Sequence, residues 1–356
     1  MSESHSVVSI KGHGVSWRAY EKEMCETYMG PIVLEDMPDF ITVDEILHSK
    51  ADTIVWKLHT EYTDENLWKR CVDIIRRLPS GIKHINDPRG WMASHAKEEA
   101  FKVWRDNSIP VPDWFEFSNS KDFWEKKKES FDFPMLVRVN NANTGYHSYL
   151  VNDEGEAKQA LKDLDSYMSK TRGDLKKGGA LRRLLAVKFI STVRPENVIM
   201  SFRIIVAADK VVTGYARLGS PSDWIAITNR FESQMEETFI TCQKVCSDFC
   251  HQHEDMLVKS VRVLGLNFQG VDVILDQNNN PYFLEVQPGF STGYFNRANW
   301  NPPFYNPSRP PALVEFLKRE KFRLQKEIPF YTNYWLNKNA MFDRAYASLR
   351  RSLHGD

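Results

Sequence analysis

Two apolar runs, Gln269–Leu275 and Tyr282–Val286, flank the tip Asp-Gln-Asn-Asn-Asn at 276–280. Val, Ile, Leu, Tyr and Phe dominate both runs and turn residues separate them, so the stretch reads as a β-hairpin. Side chains alternate faces along a strand, which places Gly270, Asp272 and Ile274 on one face and Phe283, Glu285 and Gln287 on one face. Pairing Asp276 with Pro281 sets Asp272 directly opposite Glu285. Two carboxylates at that spacing repel. A hard divalent cation would remove the penalty, and Mg²⁺ favours a few carboxylate oxygens together with substrate phosphates. Gln287, one pleat further, offers a neutral oxygen on the same side. A surface hairpin with two unrelated acids would satisfy the same pattern.

Length and composition bound the remainder. The chain has 356 residues, enough for two or three subdomains, with 47 basic and 47 acidic side chains. No basic run interleaved with aromatics suggests nucleic-acid binding. No stretch is apolar for long enough to span a membrane, and residues 1–14 lack a signal-peptide core, so a cytoplasmic protein is expected. The five cysteines read as free thiols. Cys242, Cys246 and Cys250 share a helix side with Phe239, Val245 and Phe249, as small core residues do.

Strands and helices alternate over residues 1–88: strands at 6–10, 31–36, 52–58 and 82–87, helices from Ser16, at 42–50 and from Thr63. That order implies a largely parallel sheet. Gly12 and Gly14 lack the third glycine of a dinucleotide fingerprint, so NAD is not expected. Asp87-Pro88 breaks the last strand, a helix runs from Ser94 to Arg105, and Ile109-Pro110 ends it. Residues 133–151 read as strand, Asn-rich loop (140–145) and strand, with Arg138 at the first strand's end. A strand at 181–190 follows a charged helix. Two more strands surround Ala208-Asp209-Lys210 and carry Arg203 and Arg217, which repel each other unless an anion lies between them.

Asp272, Glu285-x-Gln287 and the glycine-containing loop Pro288–Tyr294 resemble the metal-binding end of the ATP-grasp superfamily. The Asn86-x-Pro88 lead-in, the helical Lys97, Arg138 where lysine is usual, and Val187–Ile190 fit the same pattern in the same order. The resemblance covers about residues 1–300 and is nearest to the ribosomal-protein-modifying glutamate ligases and the D-alanine–D-alanine ligases. It implies an α/β ATP-grasp fold: a parallel-sheet pre-ATP-grasp domain at 1–88, an N-terminal lobe with its linking helix at 89–186, a C-terminal lobe with the metal site at 187–310, and a helical tail at 311–356.

Carried onto this sequence, the family pattern assigns Asp272, Glu285 and Gln287 to Mg²⁺, with Mn²⁺ as the alternative ion. Lys97 and Arg138 go to the ATP phosphates. The backbone of Val187 and Ile190, with Lys188 and Phe189, goes to adenine, and Glu196 to the ribose. Arg203 and Arg217 face the reacting phosphoryl group. Gln287 stands where the family has Asn, and the loop after Arg138 has one glycine. Asn229, the 288–294 loop, Arg297 and Trp300 are candidates near the acceptor. The implied reaction joins a small carboxylate, such as an amino acid or peptide, to an amine through an acyl phosphate, releasing ADP. A kinase on the same fold and a nucleotide-binding protein without turnover are the alternatives. The tail reads as a packing or dimer element.

Overall fold

The computed structural model describes residues 5–12, 17, 19–58, 65–140, 147–171, 183–222, 233–287, 311–328 and 340–355. Among them are three four-stranded sheets. The first is parallel, in the order β2-β1-β3-β4, with β1 Val7–Lys11, β2 Ile32–Asp36, β3 Thr53–Lys57 and β4 Lys83–Ile85. Helices α1 (Ala19–Met29), α2 (Val43–His48) and α3 (Glu65–Arg77) connect its strands. A Thr42/Glu45 capping box starts α2 and satisfies donors that the helix itself leaves unpaired. The expected caps Ser16 and Thr63 lie outside the described residues.

After β4 the chain passes a short 3₁₀ turn, Pro88–Gly90, into α4 (Trp91–His95) and α5 (Lys97–Asp106). The sequence suggested one helix from Ser94 to Arg105. Instead Ala96 is extended, at φ −118° and ψ 115°, and breaks it. Lys97 thus opens a new helix, with Glu98 and Glu99 in its first turn complementing the N-terminal dipole. The 3₁₀ turn presses on the backbone at 264–265. A Cβ added to Gly90 would lie 2.3 Å from the Leu264 carbonyl oxygen and 2.8 Å from that of Gly265. Backbone cannot yield as a side chain does, so Gly90→Ala is expected to cost about 2 kcal/mol or more. Urea unfolding checks this; an unchanged midpoint would mean that the segment shifts freely.

The second sheet, β5-β8-β6-β7, is antiparallel and forms a small lobe with its own core around Phe123, Val137 and Leu164. Its strands are β5 Trp114–Phe117, β6 Met135–Val139, β7 Ser148–Val151 and β8 Leu184–Lys188; α6 (Ser120–Lys127) and α7 (Glu154–Thr171) accompany them. The third sheet, β10-β9-β11-β12, is also antiparallel: β9 Ile199–Ala207, β10 Lys210–Gly219, β11 Phe268–Leu275 and β12 Pro281–Gln287. Every residue of β9 is buried, as suits a strand flanked by partners on both edges.

Helices α8 (Glu236–Gln252) and α9 (Glu254–Arg262) lie between β10 and β11 in sequence and pack on this sheet. Cys242, Cys246 and Cys250 are buried along α8 as expected, and Gly214 of β10 leaves room for the Cys250 and Cys246 sulfurs. Burial pushes the Cys25, Cys71 and Cys242 thiols up to about 12.

The tail forms α10 (Pro311–Arg319), α11 (Lys321–Glu327) and α12 (Ala340–His354). Helix α12 buries Met341, Ala345, Tyr346 and Leu349 against α1 and the β9–β10 pair. Polar bonds fix it at both ends. Tyr28 donates to Asp343 at 2.5 Å, Ser348 donates to the Ala207 carbonyl at 3.1 Å, and Lys83 lies 2.8 Å from His354. The tail therefore packs within its own chain. No helix among the described residues is long and apolar enough to cross a membrane.

Candidate active site

The expected hairpin is present, with one correction to its register. Leu275, not Asp276, pairs with Pro281. The register then slips at the bulge that holds Leu284, and Asp272 faces Glu285 after all. The sequence located this pair correctly because the slip and the bulge cancel.

Asp272 is 4% exposed and Arg203 6% exposed, on the adjacent strands β11 and β9. Arg203 grips both oxygens of Asp272, with Nε donating to Oδ1 and Nη2 to Oδ2 at 2.7 Å. Its Nη1 donates to Gln287 Oε1 at 2.9 Å. Arg217, from β10, reaches Asp272 Oδ2 at 3.0 Å, and its buried Nε has no hydrogen-bond partner among the described residues. The anion between the two arginines is thus the Asp272 carboxylate. Burial pulls the Arg203 pKa down, but Asp272 more than reverses this and the net shift is upward.

Glu285 is held from the other side. Lys97 at the start of α5 lies 2.7 Å from Glu285 Oε2, and Gln287 Nε2 donates to Oε1 at 2.5 Å. Trp104, two turns along α5, packs edge-on against Phe283, so one face of α5 fixes both the lysine and the strand. Burial would raise the Glu285 pKa. Lys97 above all, then Arg138 and Arg203, hold it well below the usual carboxylate range. Burial pulls Lys97 downward, Glu285 partly offsets this, and Arg138 adds to the lowering. Arg138, on β6 of the small lobe, is likewise lowered by burial and partly restored by Glu285. Four cationic side chains and two carboxylates thus converge, and the repulsion expected between Asp272 and Glu285 is offset by bases.

Val187 and Lys188 end β8, and Phe189 and Ile190 follow it. Lys188 N–H donates to the Asp113 carbonyl at 2.8 Å and Phe189 N–H to the Pro134 carbonyl at 3.2 Å. The Lys188 ammonium pairs with Asp113 at 3.5 Å, and Glu196 is exposed in the turn before β9; neither touches the charged cluster. Residues 141–146 and 288–300, with Arg297 and Trp300, and Asn229 lie outside the described residues.

The sequence reading missed a polar joint behind the cluster. Asn86, at φ 60°, accepts on Oδ1 from Phe268 N–H and Gln269 Nε2, both at 3.0 Å, and donates its own N–H to Asn267 Oδ1 at 2.8 Å. This ties β4 to β11, the strand of Asp272. The signal was Asn86 directly before Asp87-Pro88, where a polar residue that tolerates positive φ can end a strand.

A model of the RimK-like ATP-grasp domain matches residues 95–298, more than half of the chain. The chain belongs to the RimK-like ATP-grasp family. Membership makes it an ATP-binding protein of the ligase type. Among solved structures it is similar to N5-carboxyaminoimidazole synthetase from Staphylococcus aureus, solved with ADP, at 11% identity and TM-score 0.51, covering 83% of this chain and 73% of that one. It is also similar to a RimK domain ATP-grasp protein from Sphaerobacter thermophilus (14% identity, TM-score 0.46, 79% and 90% covered). D-alanine–D-alanine ligase from Bacillus anthracis gives 16% identity and TM-score 0.45, with 80% and 86% covered. At such identities the likeness is one of fold. A search of curated proteins finds no match.

Proposed function

We propose that this RimK-like ATP-grasp protein is an ADP-forming carboxylate–amine ligase. One observation carries the reading: Asp272, Glu285 and Gln287 converge within a ring formed by Lys97, Arg138, Arg203 and Arg217. In the proposed reaction a substrate carboxylate oxygen attacks the γ-phosphorus of ATP, and the bond to ADP breaks. An amine nitrogen then attacks the acyl carbon of the resulting acyl phosphate. Phosphate leaves, the nitrogen loses a proton, and an amide remains.

The barrier lies in bringing anions together, and fixed positive charge lowers it. Lys97 and Arg138 would hold the phosphates, while Arg203 and Arg217 would face the phosphoryl group in flight. The donor set fits a hard divalent cation, since Asp272 and Glu285 bring carboxylate oxygens and Gln287 an amide oxygen on adjacent strands. Bound there, Mg²⁺ or Mn²⁺ would supply charge neutralisation to the triphosphate. Adenine would meet the backbone of Val187 and Ile190, flanked by Lys188 and Phe189, with Glu196 toward the ribose.

The test offers the purified protein and MgATP a matrix of amino acids, peptides and small acids. ADP and free phosphate in equal amounts, only when acid and amine are both present, are expected. A phosphorylated product without free phosphate would replace the ligase reading with a kinase. Tight MgATP binding without ADP release from any pair would make the protein a nucleotide binder.

A further inference from the structure

We propose that Glu98 is a positioning residue of the nucleotide site, setting the spacing between Lys97 and Arg138 through its bond to Asn140. The inference rests on the ATP reading above. Glu98 follows Lys97 in the first turn of α5, and Asn140 lies two residues past Arg138, where β6 ends. Each is 1% exposed. Asn140 Nδ2 donates to both carboxylate oxygens of Glu98, each at 2.8 Å. At its other end Asn140 is fixed to the chain entering β8. Its N–H donates to the Arg183 carbonyl at 3.0 Å, and its Oδ1 accepts from Arg183 N–H at 3.2 Å.

Packing does not explain an acid at this place. An aliphatic side chain would fill the space, whereas a buried carboxylate carries a large desolvation penalty. Burial raises the Glu98 pKa and the Asn140 bonds oppose the rise; the Arg183 guanidinium stands 3.9 Å away. Two acceptor oxygens on a short, buried stem can hold an amide group in place, which an apolar residue cannot do.

What is held has consequences for charge. Lys97 belongs to α5, which packs on β12 beside Glu285, while Arg138 belongs to the small lobe. The Glu98–Asn140 bond joins these two bodies within two residues of both cations. Cations placed for a phosphate chain must keep their separation, because small misplacements are costly in a pre-organised site.

Titration calorimetry of wild type, Glu98→Ala and Glu98→Gln with MgATP, and separately with adenosine, tests the proposal. Adenosine lacks the phosphates that Lys97 and Arg138 would hold. For Glu98→Ala the MgATP affinity is expected to fall about tenfold, with adenosine affinity within about twofold of wild type. Glu98→Gln keeps the shape and one acceptor, so it should lose less. Unchanged MgATP binding in folded Glu98→Ala, or an equal loss for both ligands, would overturn the assignment. If Glu98→Ala does not fold, Glu98→Gln decides: a selective loss for MgATP supports the proposal and none refutes it. Wild type that binds no MgATP would overturn the nucleotide reading itself, whereas variants that bind like wild type overturn Glu98 alone.

Discussion

Glu285→Gln is expected to lower ATP-dependent turnover by about 10²–10³-fold, the scale for losing one pre-organised charge interaction at a reacting centre. The substitution keeps the shape and one oxygen for the Gln287 amide, which now donates to Glu285 at 2.5 Å. It removes the charge that Lys97 faces at 2.7 Å. Burial and Arg138 already pull the Lys97 pKa down, and without Glu285 nothing as close opposes them. The variant would thus lose a carboxylate for the cation and weaken the charge on Lys97 together. Steady-state ADP release, with circular dichroism to confirm folding, checks this. Turnover within about threefold of wild type would remove Glu285 from the reacting centre and the ligase reading with it.

The second large effect is on stability. Arg203→Ala is expected to cost about 3 kcal/mol, the low end for breaking a buried ion pair, because Arg217 still reaches Asp272 at 3.0 Å. The loss comes from leaving Asp272, 4% exposed, short of its bidentate partner. Removing both charges in Arg203→Ala/Asp272→Ala should therefore cost less than the sum of the single changes. Chemical denaturation of the four proteins measures the coupling. Additive losses would mean that the two side chains do not depend on each other in the folded protein.

The hairpin was legible because period-two patterning and turn chemistry are local. Asp272 opposite Glu285 followed from them even though a bulge at Leu284 lay between. Arg203 and Arg217 were legible as a pair needing an anion, but not that Asp272 would be that anion. The answer required the order β10-β9-β11, which brings residues far apart in sequence onto neighbouring strands. Lys97 was singled out by the family pattern alone, since nothing near it in sequence announces the break at Ala96 or the approach of β12. Glu98 was invisible for a related reason. Its partner Asn140 is 42 positions away, and a Lys-Glu-Glu run ordinarily reads as a solvated helix start.

Helix α12 bears on how the molecule can breathe. It is anchored to α1, to the β9–β10 pair and, through His354, to the end of the first sheet. The N-terminal unit and the hairpin sheet are thereby strapped into one chassis. The β5-β8-β6-β7 lobe is joined to this frame at another place, through the bond from Asn140 to Glu98 of α5. Deleting residues 340–356 should then loosen the first and third sheets rather than the small lobe, a difference that hydrogen exchange can map strand by strand.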